Sequence, residues 1–564
     1  MKDMNSLIGR GENSFLNQSA EGQRILVIVP HEDDEINLAG SIMRDYVMKG
    51  AEVYCAFTTN GDYSFAAETR MREAKHSLSV LGVDHVFFLG YGDTANHYKG
   101  GHLFYSEEKV VKSPSKHTET YGSAEAEDYV YQRSGQHSPY CRKSMRRDLK
   151  DLILSVQADI IFCVDLDVHA DHRAASIIFE EAMEEILRMP GNVYFPTVMK
   201  GFAYCTSFGA PKDFYAINIY SVPKPGKRTD ILIDKSIYRW SDRVRFPVVP
   251  DCRGHFLRHN ILYQALFQHA SQSAALHAVR IANGDAVFWE RRTDNLVFQA
   301  NVTASSGDPQ KAVSFKILDL DNIDDTEIVP ESYIWKPDSS DTDRSLYFRW
   351  TQARRIESLS VCGQVTGEET IKKMILYLPN GKQYELGPLP GCGNILKFNL
   401  PEPCYVTECR LQISEADGDL YGISAVGFFE HVHKEDSIKP YIKIMIKDDF
   451  AYDYLLPKTE KDCRLSIYRY HVLGKIRYRI LNELAGHVDE DGHVFFSPQA
   501  DKIHIRAEII NCPEIYDEIC LYRISPFSFY KLHVQQWLEN KGLTFYLKKY
   551  RKYTHIRHKY LKKL

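Results

Sequence analysis

Two short clusters in this chain combine acidic residues with histidines, the side chains that bind metal ions and carry protons in enzymes. The first is the run His31-Glu32-Asp33-Asp34-Glu35, and the second is His169-Ala170-Asp171-His172. A zinc ion in a hydrolytic site takes three nitrogen or oxygen ligands and leaves a fourth position open. We predict that His31, Asp34 and His172 supply such an open set for Zn2+, with another divalent cation as an alternative.

The remaining polar residues of the clusters suit proton transfer. Asp33 lies next to a predicted ligand but is itself free, and we assign it the role of general base. One helical turn would place His169 on the same side as His172, facing a substrate. We therefore predict that His169 stabilises the oxyanion and the leaving amine, and that Asp171 fixes its tautomer.

Both clusters follow apolar runs that are typical of buried strands. Residues 24–30 and 158–164 are rich in β-branched and apolar side chains and lack a helical period. In an open parallel sheet, the loops at the carboxyl ends of the strands converge. Clusters that are distant in sequence can therefore meet at one edge of such a sheet.

In this order, the clusters resemble the two signatures of the PIG-L/LmbE-like zinc-dependent deacetylases, an H-P-D-D-E element and a later H-x-D-H element. Here Glu32 replaces the usual proline and Pro30 precedes the histidine, while every ligand and acid–base position is retained. Members of the family remove acetyl groups from N-acetylglucosaminyl compounds. The resemblance covers about the first half of the chain and implies the same chemistry there.

The resemblance also implies two contacts with the sugar, Arg70 in the helix after Thr59-Asn60-Gly61-Asp62 and Asp93 at the end of a third strand. A simple ion pair is the alternative for Arg70, and a turn after a glycine is the alternative for Asp93. The run His269-Ala270-Ser271-Gln272 resembles the element that ends the family's catalytic region. For His269 itself we favour a core histidine with a satisfied hydrogen bond.

The length of 564 residues exceeds what one hydrophobic core supports, so two to four domains are expected. The polar residues 1–23 lack the pattern of a signal peptide, and no apolar run approaches the length of a membrane span. The twelve cysteines are scattered without metal-ribbon spacing. These features favour a reducing cytoplasm.

Alternating strands and helices up to Arg188 predict a Rossmann-like α/β domain with a mostly parallel sheet. From Gln299 onwards, short alternating runs separated by turns predict β-sandwiches. The runs at 302–307 and 422–430 resemble discoidin (F5/8 type C) domains of the galactose-binding-like class, which implies either glycan binding or a docking role. The predicted segments are a deacetylase-like domain at 1–298, a discoidin-like β-sandwich at 299–435, a second β-sandwich at 436–525 and a C-terminal helix at 526–564.

The C-terminal segment is basic, whereas the rest of the chain is acidic. The whole chain has a net charge of −5. Residues 541–564 contain nine Lys or Arg and no acid, with apolar side chains at three- and four-residue steps. This pattern predicts a basic amphipathic helix. A membrane surface is the favoured partner, docking on the acidic body of the protein is a close alternative, and nucleic acid is unlikely.

Together these features predict a cytoplasmic enzyme, peripheral at the inner membrane face if the tail binds there. It would hydrolyse the acetamido group of an N-acetylated amino sugar, of the N-acetylglucosamine type, in a glycan or in a lipid- or nucleotide-linked precursor. One alternative is an amidase that acts on a thiol-sugar or antibiotic-like conjugate. Another is a glycan-binding scaffold without turnover.

Overall fold

A computed structural model describes most of the chain. The described residues are 20–94, 102–204, 208–209, 221–223, 237–252, 260–272, 284–320, 322–323, 333–364, 371–391, 393–418, 421–432, 441–446, 449–450, 453–470 and 473–531. The predicted basic helix over 541–564 lies outside these residues.

The N-terminal part alternates strands with helices, as predicted. Its strands are β1 (Arg24–Val29), β2 (Glu52–Thr59), β3 (His85–Tyr91), β4 (Ile160–Val164), β5 (Thr197–Gly201), β6 (Phe208–Gly209), β7 (Val222–Pro223), β8 (Val244–Pro247) and β9 (Asp285–Arg291). Its helices are α1 (Asp34–Met48), α2 (Ala67–Leu81), α3 (Tyr129–Ser134), α4 (Arg142–Val156), α5 (Ala170–Leu187) and α6 (Ile261–Leu266). Short 3-10 turns lie at Leu103–Tyr105, Trp240–Asp242, Pro250–Cys252 and Leu296–Gln299.

Seven of these strands form one sheet in the order β3-β2-β1-β4-β5-β9-β8. The five strands from β3 to β5 in this order run parallel, and β9 and β8 are antiparallel to their neighbours. The predicted α/β domain with a mostly parallel sheet is therefore confirmed. Both β1 and β4 are buried, except at Arg24, as expected for apolar strands of a parallel sheet covered on both faces.

The strand order places the two sequence clusters side by side. β1 pairs with β2 on one side and with β4 on the other, with Ile25 opposite Ile160. The chain thus changes direction across the sheet at β1, and the carboxyl ends of β1 and β4 open into one crevice. The first cluster follows β1 directly, and the second lies in the loop after β4 and at the start of α5.

The first β domain follows. Its strands are β10 (Asn301–Ala304), β11 (Ser345–Gly363), β12 (Ile371–Tyr377), β13 (Gln383–Leu386), β14 (Ile395–Ala416) and β15 (Ile423–Phe429), and they form one antiparallel sheet. The long strands β11 and β14 pair over most of their length with two register shifts. Trp335, Phe348, Trp350 and Phe428 are buried in its core.

A second set of β strands lies further along the chain. They are β16 (Tyr441–Ile446), β17 (Asp449–Phe450), β18 (Asp453–Pro457), β19 (Asp462–Arg464), β20 (Ser466–Tyr470), β21 (Ile476–Ile480), β22 (Gly486–Val488), β23 (His493–Phe496), β24 (Lys502–Ile509) and β25 (Cys512–Ile524). They form three small sheets, antiparallel except for the pair β18 and β25, around a separate apolar core. The predicted change from an α/β domain to β domains is confirmed.

The α/β domain and the first β domain share one continuous apolar core. The turn Leu296–Gln299 carries this continuity: the indole nitrogen of Trp350 donates to the carbonyl oxygen of Leu296 at 2.9 Å, and the ring of Phe298 lies 5.9 Å from that of Phe315. The predicted boundary at 298/299 thus falls within a packed segment. The division into domains stays a prediction.

Two further predictions concern the environment of the chain. Within the described part, no helix is long and apolar enough to cross a bilayer. No disulfide joins any two of the ten cysteines that the structure describes, and most of these side chains are buried.

Candidate metal centre

The crevice at the carboxyl ends of β1 and β4 brings the three predicted metal ligands together. Nδ1 of His31 lies 3.1 Å from Oδ2 of Asp34, and Nε2 of His172 lies 3.1 Å from the same oxygen. The two ring nitrogens are 3.3 Å apart. All three side chains are buried. Three candidate donor atoms thus converge on one point, although His31 and His172 lie 141 positions apart in sequence.

Two carboxylates orient the imidazoles of His31 and His172 by pairing with the ring nitrogens that face away from Asp34. Nε2 of His31 lies 3.1 Å from Oδ2 of Asp171, and Nδ1 of His172 lies 2.8 Å from Oδ2 of Asp167. A ring nitrogen that donates its proton to a carboxylate leaves the lone pair on the other nitrogen. In the neutral form of each ring, the lone pair therefore faces Asp34.

This arrangement concentrates negative charge. Burial disfavours a charged His31, but the surrounding carboxylates, Asp93 first among them, raise its pKa well above the usual value. Burial acts in the same way on His172, and Asp167 and Asp34 raise its pKa to about 9. The histidines in turn lower the pKa of Asp34 despite its burial. The site therefore favours a positive charge at its centre.

The donor set fits a divalent cation. Bonds of about 2.0–2.1 Å in a tetrahedral zinc site place neighbouring ligand atoms about 3.3 Å apart. The three separations of 3.1, 3.1 and 3.3 Å match this spacing. Oδ1 of Asp34 is buried and has no hydrogen-bond partner among the described residues.

Two other groups at this site could also bring three ligand atoms within 4.8 Å of one another: His31 with His169 and His172, and His31 with Asp93 and Asp171. A further such group, Glu127 with Asp128 and His137, contains none of the predicted site residues. In the second group, His31 would have to use Nε2, the nitrogen that pairs with Asp171. The set of His31, Asp34 and His172 leaves that pair intact, and we favour it for this reason.

Asp33 holds an unusual backbone conformation at the edge of the site. Its φ of 123° lies in a region that residues other than glycine rarely adopt. The backbone amide of Asp33 donates to Oε2 of Glu35 at 2.8 Å, and Oε1 of Glu35 pairs with Nε2 of His269 at the same distance. Burial and the charge of Asp34 raise the pKa of Asp33 to about 6. This pKa suits a general base near neutral pH.

The buried position of His269 agrees with the interpretation of a core histidine, with one addition. The ring has no exposure, and it stabilises the carboxylate that holds the Asp33 backbone. It is thus two hydrogen bonds away from the candidate base.

His169 lies at the open side of the cluster. Its ring packs edge-on against that of His31, with 4.6 Å between the ring centroids. Its Nδ1 accepts the backbone amide of Asp171 at 3.2 Å, so the proton of the neutral ring is on Nε2. Burial and the charge of His31 lower the pKa of His169 to about 3. A neutral imidazole with an N–H donor therefore faces the crevice.

The predicted contact between the Asp171 carboxylate and His169 differs from the observed one. The distance from Oδ2 of Asp171 to Nδ1 of His169 is 3.8 Å, too long for a hydrogen bond. The carboxylate instead pairs with His31 and with His102, and the backbone amide of Asp171 sets the tautomer of His169. Asp171 thus supports a candidate metal ligand, because the start of α5 turns its side chain towards β1.

The two residues predicted to contact the sugar are engaged with the protein itself. Nη2 of Arg70 donates to the carbonyl oxygen of Glu32 at 2.5 Å, and its Nε lies 3.4 Å from Oε2 of Glu32. Asp93 accepts the backbone amide of Gly61 at 2.9 Å. A side chain at Gly61, where φ is +62°, would collide with both Glu32 and Arg70. Arg70 and Asp93 therefore hold together the loops that line the crevice.

Sequence reasoning missed two supports of the site, Asp167 and His102. Asp167 lies five residues before His172, and its proximity to the second cluster is a signal that could have identified it. His102 lies 69 residues before Asp171, whose Oδ1 is 3.0 Å from its Nε2. No local pattern marks His102, because only the fold brings it to the site.

A comparison with protein-family models matches the part of the chain that contains His31, Asp34 and His172. Residues 26–183 match the family model described as PIG-L: GlcNAc-PI de-N-acetylase. No protein of the curated set matches the sequence. One similar solved structure is the N,N'-diacetylchitobiose deacetylase from Pyrococcus horikoshii, with 19% identity, 37% of this chain and 73% of that chain covered, and a TM-score of 0.23.

Two other solved structures are similar to parts of the chain. A deacetylase triple mutant from the teicoplanin biosynthetic pathway has 14% identity, with 48% of this chain and 99% of that chain covered and a TM-score of 0.27. The family 32 carbohydrate-binding module of NanJ from C. perfringens, in complex with galactose, has 16% identity, with 23% of this chain and 93% of that chain covered and a TM-score of 0.18.

Proposed function

Because residues 26–183 form a PIG-L family domain, we propose that this protein is a metal-dependent deacetylase. Its substrate is an N-acetylated amino sugar of the N-acetylglucosamine type, in a glycan or in a lipid- or nucleotide-linked precursor. The products are acetate and a free amine. The observation that carries the proposal is the convergence of His31, Asp34 and His172 beside a buried carboxylate with a raised pKa.

The proposed metal ligands are Nδ1 of His31, Oδ2 of Asp34 and Nε2 of His172, with Zn2+ as the proposed cation. A divalent cation bound there would polarise the amide carbonyl and make a coordinated water more acidic. Asp171 and Asp167 keep the two imidazoles in the tautomers that such binding requires.

The proton transfers are assigned to side chains of the chain itself. Asp33 accepts a proton from the water that attacks the acetamide carbon, since its pKa of about 6 leaves it mostly ionised at neutral pH. Nε2–H of His169 donates to the carbonyl oxygen as negative charge develops there. The C–O bond forms and the C–N bond breaks. The proton held by Asp33 then passes to the departing amine, which restores the base.

The electrostatics of the crevice support this division of roles. Asp33 and His169 have pKa values shifted in opposite directions by burial, which leaves one ionised acceptor and one neutral donor at neutral pH. Among the described residues, neither Asp33 nor His169 forms a close ion pair. Oδ1 of Asp33 lies 3.8 Å from Nη2 of Arg70, and Nδ1 of His169 lies 3.8 Å from Oδ2 of Asp171. No close ion pair therefore neutralises Asp33 or occupies the Nε2–H of His169.

The test is acetate release by the full-length protein. The protein is stripped of metal with a chelator and assayed with and without added Zn2+. The substrates are N-acetylglucosamine, its nucleotide sugar, its short β-linked oligomers, and 4-nitroacetanilide as an acetamide without a sugar. We expect Zn2+-dependent acetate release from at least one sugar and none from 4-nitroacetanilide. Tight binding of an oligomer without any acetate release would contradict catalysis and favour a glycan-binding scaffold.

A further inference from the structure

Two residues of the first β domain, Asn322 and Ile323, bond to Tyr105 and Arg173, which lie next to the residues that orient the proposed metal ligands. Neither belongs to the segment that matches the PIG-L family model, which ends at residue 183. Ile323 is completely buried. Its backbone carbonyl and amide groups each bond to a residue of the α/β domain, through two separate links.

The first link runs to His172. The carbonyl oxygen of Ile323 accepts a hydrogen bond from Nη1 of Arg173 at 2.8 Å. Nε of the same guanidinium donates to the carbonyl oxygen of Asp167 at 2.5 Å. The Asp167 carboxylate pairs with Nδ1 of His172 at 2.8 Å and accepts the backbone amide of His169 at 3.1 Å. Arg173 thus connects the β domain to the backbone of Asp167, the residue whose carboxylate orients one proposed ligand.

The second link runs through Tyr105. Its hydroxyl donates to Oδ1 of Asn322 at 2.6 Å and accepts the backbone amide of Ile323 at 3.0 Å. Tyr105 ends the 3-10 turn Leu103–Tyr105, and His102 caps that turn by accepting the amide of Phe104 on its Nδ1. The cap leaves the ring proton of a neutral His102 on Nε2.

Nε2 of His102 points to the other carboxylate of the site. It lies 3.0 Å from Oδ1 of Asp171, whose Oδ2 pairs with Nε2 of His31. The dipeptide is therefore linked to Asp167 through Arg173, and to Asp171 through Tyr105 and the turn that His102 caps.

The segment that presents this dipeptide is fixed along α5. The carbonyl oxygen of Val313 accepts from Arg188 at 2.7 Å, and the amide of Phe315 donates to Glu184 at 3.0 Å. The ammonium group of Lys316 lies 3.0 Å from a carboxylate oxygen of Glu181. These contacts lie in the last two turns of α5 and at Arg188, which follows it, and the first turn of the same helix carries His172. The segment before the dipeptide and the proposed ligand are thus attached to the same helix.

We propose that Asn322 and Ile323 are positioning elements of the metal centre, and that metal affinity depends on their links to Tyr105 and Arg173. The inference rests on the proposed function, because it assumes that a divalent cation binds His31, Asp34 and His172. Residues that orient a ligand's partner typically change metal affinity about 10- to 100-fold when they are removed. Tyr105 acts one residue further away, so a smaller effect of about 3- to 10-fold is expected for it.

The experiment measures Zn2+ affinity of the metal-free, full-length protein by competition with a chromophoric chelator. Tyr105→Phe removes both hydrogen bonds of the link, and Asn322→Ala removes its side-chain acceptor. The matched control is Tyr129→Phe, which also removes two hydrogen bonds, to Asp151 and Ser155, but among the described residues Tyr129 contacts neither Asp167 nor His102. Asn322→Asp keeps an oxygen acceptor and should restore affinity in comparison with Asn322→Ala.

We expect Tyr105→Phe and Asn322→Ala to weaken Zn2+ binding about 3- to 10-fold, while Tyr129→Phe changes it less than about 2-fold even where it lowers the melting temperature. The visible absorption of the Co2+-loaded protein should shift for Tyr105→Phe alone among the two Tyr variants. Wild-type affinity and an unchanged Co2+ spectrum in both Tyr105→Phe and Asn322→Ala would overturn the inference. A wild-type protein that binds no Zn2+ would instead contradict the proposed function itself.

Discussion

Oε2 of Glu32 lies 3.4 Å from Nε of Arg70, and both side chains are buried where the family signature has a proline in place of the glutamate. Neither carboxylate oxygen of Glu32 has a hydrogen-bond partner among the described residues. Burial raises the pKa of Glu32 from its ordinary value of 4.5 to about 8. The native state therefore retains a proton that the unfolded chain releases above pH 4.5.

This difference predicts how stability changes with pH. Between about pH 4.5 and 8, the native state binds more protons at Glu32 than the unfolded state, so the contribution of this group to stability is lost as pH rises. Glu32→Gln removes the titration. We expect the free energy of unfolding of Glu32→Gln to rise relative to wild type by about 1–3 kcal/mol from pH 5 to pH 8. Urea unfolding of the metal-free protein measures it. The exposed variant Glu68→Gln should instead run parallel to wild type, and parallel curves for Glu32→Gln would contradict the prediction.

Asp33→Asn tests the general base. Asparagine tolerates the unusual backbone conformation at this position, so the turn should keep its shape. We expect kcat to fall about 10²- to 10⁴-fold, because the attacking water loses its proton acceptor. Zinc content, measured by atomic absorption, should match that of wild type and of the exposed control Asp84→Asn. An Asp33→Asn variant with near-normal kcat would exclude Asp33 as the base.

The same group predicts the acid side of the pH–rate profile. Burial and Asp34 raise the pKa of Asp33 to about 6, and a base acts only when it is ionised. We therefore expect kcat/KM to rise with pH up to about 6 and to level off above it. Initial rates of acetate release in Zn2+-saturated buffers from pH 4.5 to 8 provide the measurement. A profile that is flat across this range would exclude the assignment.

His172→Ala should remove the metal. This side chain is buried at the centre of the donor set, and two ligands bind a divalent cation far more weakly than three. We expect purified His172→Ala to contain almost no zinc, while His76→Ala, at an exposed position of α2, retains about one zinc per chain. Equal zinc content in the two variants would show that the metal binds elsewhere.

Local patterns were sufficient to predict that three of the proposed site residues lie close together. His31, Asp34 and His172 follow two runs with the unmistakable composition of buried strands, and parallel strands bring their carboxyl ends to one edge. The prediction needed only the type of sheet, not the details of packing. The strand residues themselves were placed to within two positions, with β1 at Arg24–Val29 and β4 at Ile160–Val164.

The surroundings of the site depend on contacts that no short pattern encodes. His102 and Asn322 reach the cluster from segments 69 and 151 residues away from Asp171, through side chains that are common on any surface. The role of the Asp171 carboxylate depended on which way the start of α5 turns, and a spacing of two residues from His169 could not decide it. The sequence marks Glu32 only as a departure from the family signature, because its burial beside Arg70 arises from the fold.

The unbroken apolar core between the α/β domain and the first β domain limits how this protein can be divided into fragments. Truncation at residue 298 would remove the Trp350 indole and the Phe315 ring, which contact Leu296 and Phe298. It would also remove the segment that bonds to the C-terminal part of α5. Such a fragment would expose a large apolar surface and should aggregate when it is expressed. Gene fusions and crystallisation designs should therefore treat the two domains as one inseparable block.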